Sequence, residues 1–235
     1  MPALPPRATV RGALKAAFGD FYFNSIRLVA ANIFWGVALI VVLVISTMTS
    51  PLLTIPAAIL LAIPSAGIFR LAAVIARNQP ADLSDAFAAM RSHALPALAV
   101  GALVIGAIAV LGFNFVVGLL SGDPLWLLIG TLAGWGLLAL FVGTSAFWPL
   151  LMDPARDGQP LKQRFSLALA VIFSSPGRYL ALTLITGATL VVSTIAFAAL
   201  LSISVAFVAL VLCRYVIPTA DRLEGRATVA EPILD

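Results

Sequence analysis

The chain has 235 residues, of which 62% are apolar and only 10% charged, against about 25% charged in ordinary globular domains. Fourteen Lys and Arg against ten Asp and Glu leave a net charge of +4. So few charges cannot cover a water-soluble surface, so the chain is read as a membrane protein. The basic residues lie in short connectors rather than on one face of a domain, which speaks for lipid headgroups and against nucleic acid.

Residues 1–8, with Pro2, Pro5 and Pro6, read as a disordered start. From Thr9, the residues Val10, Leu14, Phe18 and Phe21 recur at helical spacing, with Arg11 and Lys15 on the other side. That pattern predicts an amphipathic helix lying in the membrane interface. The apolar run that starts near Ser25 exceeds the hydrophobic part of a cleavable leader, about 7–15 residues, and no A-x-A site follows it. It is expected to be a retained first span ending at Met48, since about 20 apolar residues cross a bilayer core.

A tight turn is expected over Thr47–Pro51, and then a second span from Leu52 to Ala76 that Pro56 and Pro64 should kink. The charged stretch Arg77–Ala94 follows. Asp82 is placed to cap an amphipathic helix, with Asp85 at its third position and Leu83, Phe87 and Met90 on one face. The third span, 95–120, opens with Pro96 near its first turn, where a missing N–H costs little. Ser121-Gly122-Asp123-Pro124 is a turn signal. The fourth span runs from Leu125 to Met152, with Trp126 and Trp148 near its ends, and Asp153–Gln159 reads as a polar loop. Pro160–Ser174 gives a third amphipathic helix through Leu161, Phe165, Leu169 and Ile172.

Tyr179–Ile217 carries no charge before Arg214 and would be about 58 Å long as one helix, far beyond a hydrocarbon core of about 30 Å. Two spans fit better, Tyr179–Ala199 and Ile203–Ile217, with a break expected near Ser202 although no glycine or proline marks it. Every Lys and Arg then falls in or beside the N-terminal arm, the two elbows or the tail, and the connectors near Ser50, Asp123 and Ser202 carry none. The positive-inside bias thus predicts six spans with both termini cytoplasmic.

The expected fold is an all-α membrane protein, six transmembrane helices arranged as three helical hairpins, each preceded by an amphipathic interfacial helix. It forms a single integral domain: arm and interfacial helix 1–24, hairpin 25–76, elbow 77–94, hairpin 95–152, elbow 153–178, hairpin 179–217 and a cytoplasmic tail 218–235. Phe18, Phe87 and Phe165 sit at similar places in the three elbows, and the lead-ins Ala76-Arg77-Asn78 and Ala155-Arg156-Asp157 are alike. This repetition arises either from internal duplication or from shared constraints on connectors and hairpins.

Polar groups inside a bilayer are costly unless partnered, so they mark the candidate site. Asp20, Asn24 and Arg27 share a face at the entrance to the first span, with Asn32 and Trp35 deeper. Arg70 lies about 10 Å from Arg77 along the second span, and Asn114 lies well inside the third. Asn24, Arg27, Asn32, Arg70 and Asn114 could form a polar pocket holding an anion or a lipid headgroup; the competing reading is interhelical hydrogen bonding and snorkelling. Thr183, Thr186, Thr189, Ser193 and Thr194 make the fifth span hydroxyl-rich, and Gly130, Gly134, Gly136 and Gly143 suit close helix packing. No spacing fits a metalloprotease helix, a phosphate loop or a nucleophile elbow, and no carboxylate is expected buried in a span, so enzyme is the weakest class. A single cysteine, Cys213, excludes an internal disulfide, and the single His93 reads as an interfacial residue. No cofactor and no metal are expected.

Asn32-x-x-Trp35, Pro56-Ala57-Ala58 and the elbow ARNQPADLSDAFAAMRSH, in this order from Asn32 through Ser92, resemble the YesL-like family of bacterial membrane proteins. The likeness covers about a quarter of the chain and beyond Pro96 thins to the hydrophobic pattern. It implies an accessory or assembly part in carbohydrate uptake in the bacterial inner membrane, beside sugar ABC transporter components, and it carries no ligand or catalytic residue. The alternatives are a small stand-alone transporter or channel and a structural or lipid-binding module, with lipids as partners and homo-oligomers allowed.

Overall fold

In hydrocarbon every backbone N–H and C=O must be satisfied within its own segment, so long apolar runs become helices. The computed structural model, which describes residues 8–48 and 51–226, is all-α, and among these residues six helices are long and apolar enough to cross a membrane. Residues 1–7 of the expected disordered start, the centre of the Thr47–Pro51 turn and the second half of the tail lie outside the described residues.

Helix α1 (Val10–Phe23) begins where the Thr9 hydroxyl accepts the Gly12 N–H, and Asn24 alone separates it from the first span, α2 (Ser25–Met48). The second span consists of α3 (Pro51–Leu60) and α4 (Ala62–Ala76) with Leu61 between them. Pro64 has no N–H to give and its ring crowds the carbonyl four residues back, so the helix tightens here. The Leu61 N–H goes to Ala58, and the Ser65 hydroxyl donates to the Leu61 carbonyl at 2.7 Å. The expected kink is thus present, and Trp35 of α2 braces it by donating its indole N–H to Ser65.

Asp82 and Asp85 form a reciprocal capping box at the start of α5 (Leu83–Ser92), and His93 alone joins it to the third span, α6 (Ala94–Leu120). Gly122 at positive φ, Asp123 as cap and Pro124 at the first position turn the chain into α7 (Pro124–Leu151). A short 3₁₀ turn at Pro154–Arg156 leads to α8 (Leu161–Ser174), which Ser175 links to α9 (Pro176–Ile195). Each amphipathic helix therefore meets its hairpin through one hinge residue. Phe18 and Phe87 stand at the same remove from their hinges, whereas Phe165 stands one turn further from Ser175.

The last hairpin departs from the expected boundaries. The break falls at Ala196, not near Ser202, and the chain continues as a short α10 (Phe197–Ala199), a π turn at Leu200–Ser204 and α11 (Val205–Leu223). The π turn is held from another helix. Asn32 of α2 is fully buried; its amide donates to the Leu200 carbonyl at 2.9 Å and accepts the Ala206 N–H at 2.7 Å, bracketing the π turn. One turn on, Gly36 lets α2 close in, since a Cβ there would lie 2.7 Å from the Leu201 carbonyl oxygen. Helix α11 also runs through Pro218 to Leu223, so it takes in the first residues assigned to the tail.

The three units close on one another. Helix α1 packs on α11, α5 on α4 and α8 on α7, so each interfacial helix rests on the second arm of the hairpin before it, cyclically. Their phenylalanines touch a ring of that same hairpin: Phe18 on Phe207, Phe87 on Phe34 and Phe165 on Phe147. Helices α4 and α11 form the centre through small buried residues, Ala66, Ala72 and Ala73 on one, Ala206, Ala209 and Ala220 on the other. Lipid is as apolar as leucine, so close backbone approach rather than hydrophobicity drives such contacts.

Candidate functional site

Helices α4, α7 and α11 all end at the face where the basic connectors gather, and each leaves its last carbonyls without intrahelical partners. At the ends of α4 and α7 arginines reach them, as the negative end of a helix dipole favours. Arg214 of α11 donates to the Ala76 carbonyl at 3.2 Å and to the Asn78 side chain at 2.9 Å, at the end of α4. Arg70 of α4 donates to the Met152 carbonyl at 3.3 Å and forks onto both oxygens of Asp157, at the end of α7. Asn78 and Asp157 occupy the same place in the two lead-ins, so the side-chain contact is made twice around the ring, while the carbonyls reached, Ala76 and Met152, are not at matching places. The matching position of α7 is Pro149, and there the device is absent. Arg164 of α8 adds to the end of α7, donating to the Leu151 and Arg156 carbonyls at 2.6 and 2.5 Å.

Arg77, Arg156 and Asp221 stand equally far along the chain from Arg70, Pro149 and Arg214, and these three equivalent residues meet at the centre. Arg77 forks onto Asp153 at 2.5 and 2.7 Å and reaches Asp221 at 3.1 Å. Arg156, fully buried, pairs with Asp153, with Asp221 at 2.8 Å and with Glu224 at 2.7 Å, and Arg226 closes on Glu224. Two arginines and a carboxylate at equivalent places can share one axis, where three like charges would repel. Burial pushes the Asp153 carboxyl up, but the hydrogen bonds and charge of Arg77 and the charge of Arg156 outweigh it and hold it below the ordinary value. On the rim, Asp20 of α1 pairs with Arg214, tying the first helix to the last.

This centre went unseen in the sequence. Asp153–Gln159 reads as a polar loop, yet Asp153 and Arg156 are fully buried, and Asp221 is a buried carboxylate in the last turn of a span, contrary to expectation. The available signal was the pair of matching lead-ins, whose arginines prove to be partners of the same two carboxylates.

The five candidate residues do not form one pocket. Asn24 and Arg27 lie together: the Arg27 guanidinium donates to the Asn24 side chain at 3.2 Å, and Asn24 donates to the Asp20 carbonyl. Asn32 is the clip on the π turn, and Arg70 belongs to the ion-pair ring. Asn114 is apart from all of them, half-buried, with its amide on the Val110 carbonyl of its own helix at 2.8 Å. The hydroxyls of Thr183, Thr186 and Ser193 are buried and bond carbonyls one turn back, and Ser204 donates to Ser193 across the last hairpin. Gly130 packs inside the second hairpin against Gly118, where a Cβ would meet backbone at 2.9 Å. His93 faces Asp157 at 3.4 Å and Ser92 at 2.8 Å. Among the described residues no cluster of His, Cys, Asp and Glu could hold a metal ion.

No family model, no curated protein and no solved structure matches this chain. The fold and the ion-pair centre therefore define it as a multi-pass all-α membrane protein, and function is inferred from its own residues.

Proposed function

We propose that this chain is a non-enzymatic accessory or assembly factor for carbohydrate uptake in a bacterial inner membrane, with its basic face and both termini in the cytosol. The observation that carries the accessory role is how the polar groups along the spans are engaged. Asn32, Arg70, Arg214 and Asp221 join one helix to another, and Asn114 bonds its own helix, so these groups serve cohesion of the bundle rather than a path for solute. A body held this way suits a scaffold whose outlying hairpin meets neighbours in the membrane. The carbohydrate assignment rests on the resemblance carried by residues 32–92, and the orientation rests on the placement of Lys and Arg.

Affinity capture of the full chain from native membranes in mild detergent tests the role. A permease or substrate-binding component of a sugar transporter should co-purify stoichiometrically. Recovery of the chain alone, together with sugar flux in liposomes containing only this protein, would replace the accessory role by a stand-alone transporter. A reporter fused after Asp235 should be active on the cytosolic side only.

A further inference from the structure

A crevice of about 160 Å³ opens on the basic face where the third hairpin begins, lined by Ser174, Ser175, Arg178, Tyr215, Thr219 and Arg222. Two guanidinium groups thus share a cavity with hydroxyls at the depth where an interfacial helix turns into a span. Proline at the first position and a Ser175 side chain that makes no capping bond leave the first-turn N–H groups of α9 available to an acceptor as well.

The repeated plan supplies an internal comparison. Arg178 follows the hinge Ser175 at the same interval as Arg27 follows the hinge Asn24. At the first hairpin, the helix that begins beside this arginine is α5, whose cap is Asp82. The Ser84 hydroxyl and Leu83 N–H hold the Asp82 carboxyl below its ordinary value, and the charge of Arg27 adds to this. At the third hairpin the helix in the same place is α1, whose cap is Thr9, preceded by Ala8 at the cavity wall. Where Arg27 faces a carboxylate of the chain, Arg178 faces a neutral residue and a cavity. Among the described residues no carboxylate pairs with Arg178.

We propose that this crevice binds a phosphate group, that of an anionic lipid, with Arg178 and Arg222 as its cationic walls. A lipid rather than free phosphate is favoured by what lies beneath. Ala181 and Ile185 continue the face of Arg178 down α9 and are exposed, so acyl chains have an apolar track directly below the headgroup.

The test uses the full chain in discs of phosphatidylcholine with and without phosphatidylglycerol, followed by detergent washing and lipid quantification by native mass spectrometry. Wild type should retain phosphatidylglycerol and melt higher in its presence. Arg178→Gln should lower retention about fivefold, the loss expected of one interfacial cation, with Arg178→Lys retaining more. Thr219→Phe, which fills the cavity from α11, should lower it too and covers the case in which Arg178→Gln fails to fold. Arg27→Gln, whose arginine faces Asp82, should lower retention less than Arg178→Gln does. A melt raised by inorganic phosphate in phosphatidylcholine discs, and abolished in Arg178→Gln, would overturn the lipid and assign the site to the free anion. Equal retention by wild type, Arg178→Gln and Thr219→Phe would overturn the site itself.

Discussion

The second and sixth spans and the α6–α7 hairpin are made of equally apolar sequence, yet they live in different surroundings. The hydrophobic windows of the second and sixth spans are 61% and 67% buried, whereas those of α6 and α7 are 6% and 11% buried. Hydrophobicity does not distinguish them, because lipid solvates leucine as well as a neighbouring helix does. Small residues and polar partners do. Helices α4 and α11 carry the alanines and bring Arg70, Arg77, Arg214 and Asp221 to shared partners, whereas α6 and α7 hold chiefly each other, through Gly118 and Gly130, and turn Leu103, Phe113 and Trp135 outward. Burial in a membrane protein follows the partners a helix can find.

The sharpest way to break this contrast is to strip a partner from the centre. Arg156→Met should leave Asp153 and Asp221 short of a cation and cost about 3–5 kcal/mol, read as a loss in unfolding free energy in detergent. The pH dependence follows from the same site. Because the folded Asp153 carboxyl is held below its ordinary value, its contribution is complete above the unfolded value near 4 and is lost as pH falls through the lower folded one. Melting should therefore stay level on acidification from neutrality and drop only below about pH 4, and Asp153→Asn should remove that drop.

Asn32→Leu should cost less, about 1–2 kcal/mol, since it frees two backbone groups at the π turn while keeping an apolar filling. Hydrogen exchange should rise first at Leu201–Ala206. The smallest effect belongs to the outlying hairpin. Asn114→Leu exchanges a half-buried amide bonded to its own helix for an apolar side chain and should change stability by no more than about 1 kcal/mol. A large loss from Asn114→Leu would mean that this face carries a structural contact.

The sequence made the elements legible wherever periodicity or a local signal was strong. The capping box at Asp82, the Gly122-Asp123-Pro124 turn and the kink near Pro64 all stand where those residues put them. The π turn of the last hairpin was missed because Asn32, which brackets it, lies 174 residues from the N–H it binds, and no glycine or proline marks the break at Ala196. The ion-pair centre was missed for the same reason. Nothing local distinguishes Asp153 from a loop aspartate; only the folding of three separate helix ends toward one axis buries it.

Ring closure is the claim on which the rest depends, and the Asp20–Arg214 pair is where the first helix meets the last. A double-mutant cycle with Asp20→Asn and Arg214→Gln, read by unfolding of the purified chain, measures it directly. The closed ring predicts a coupling of about 0.5–3 kcal/mol between the two sites. Additive effects, with no coupling beyond error, would contradict it.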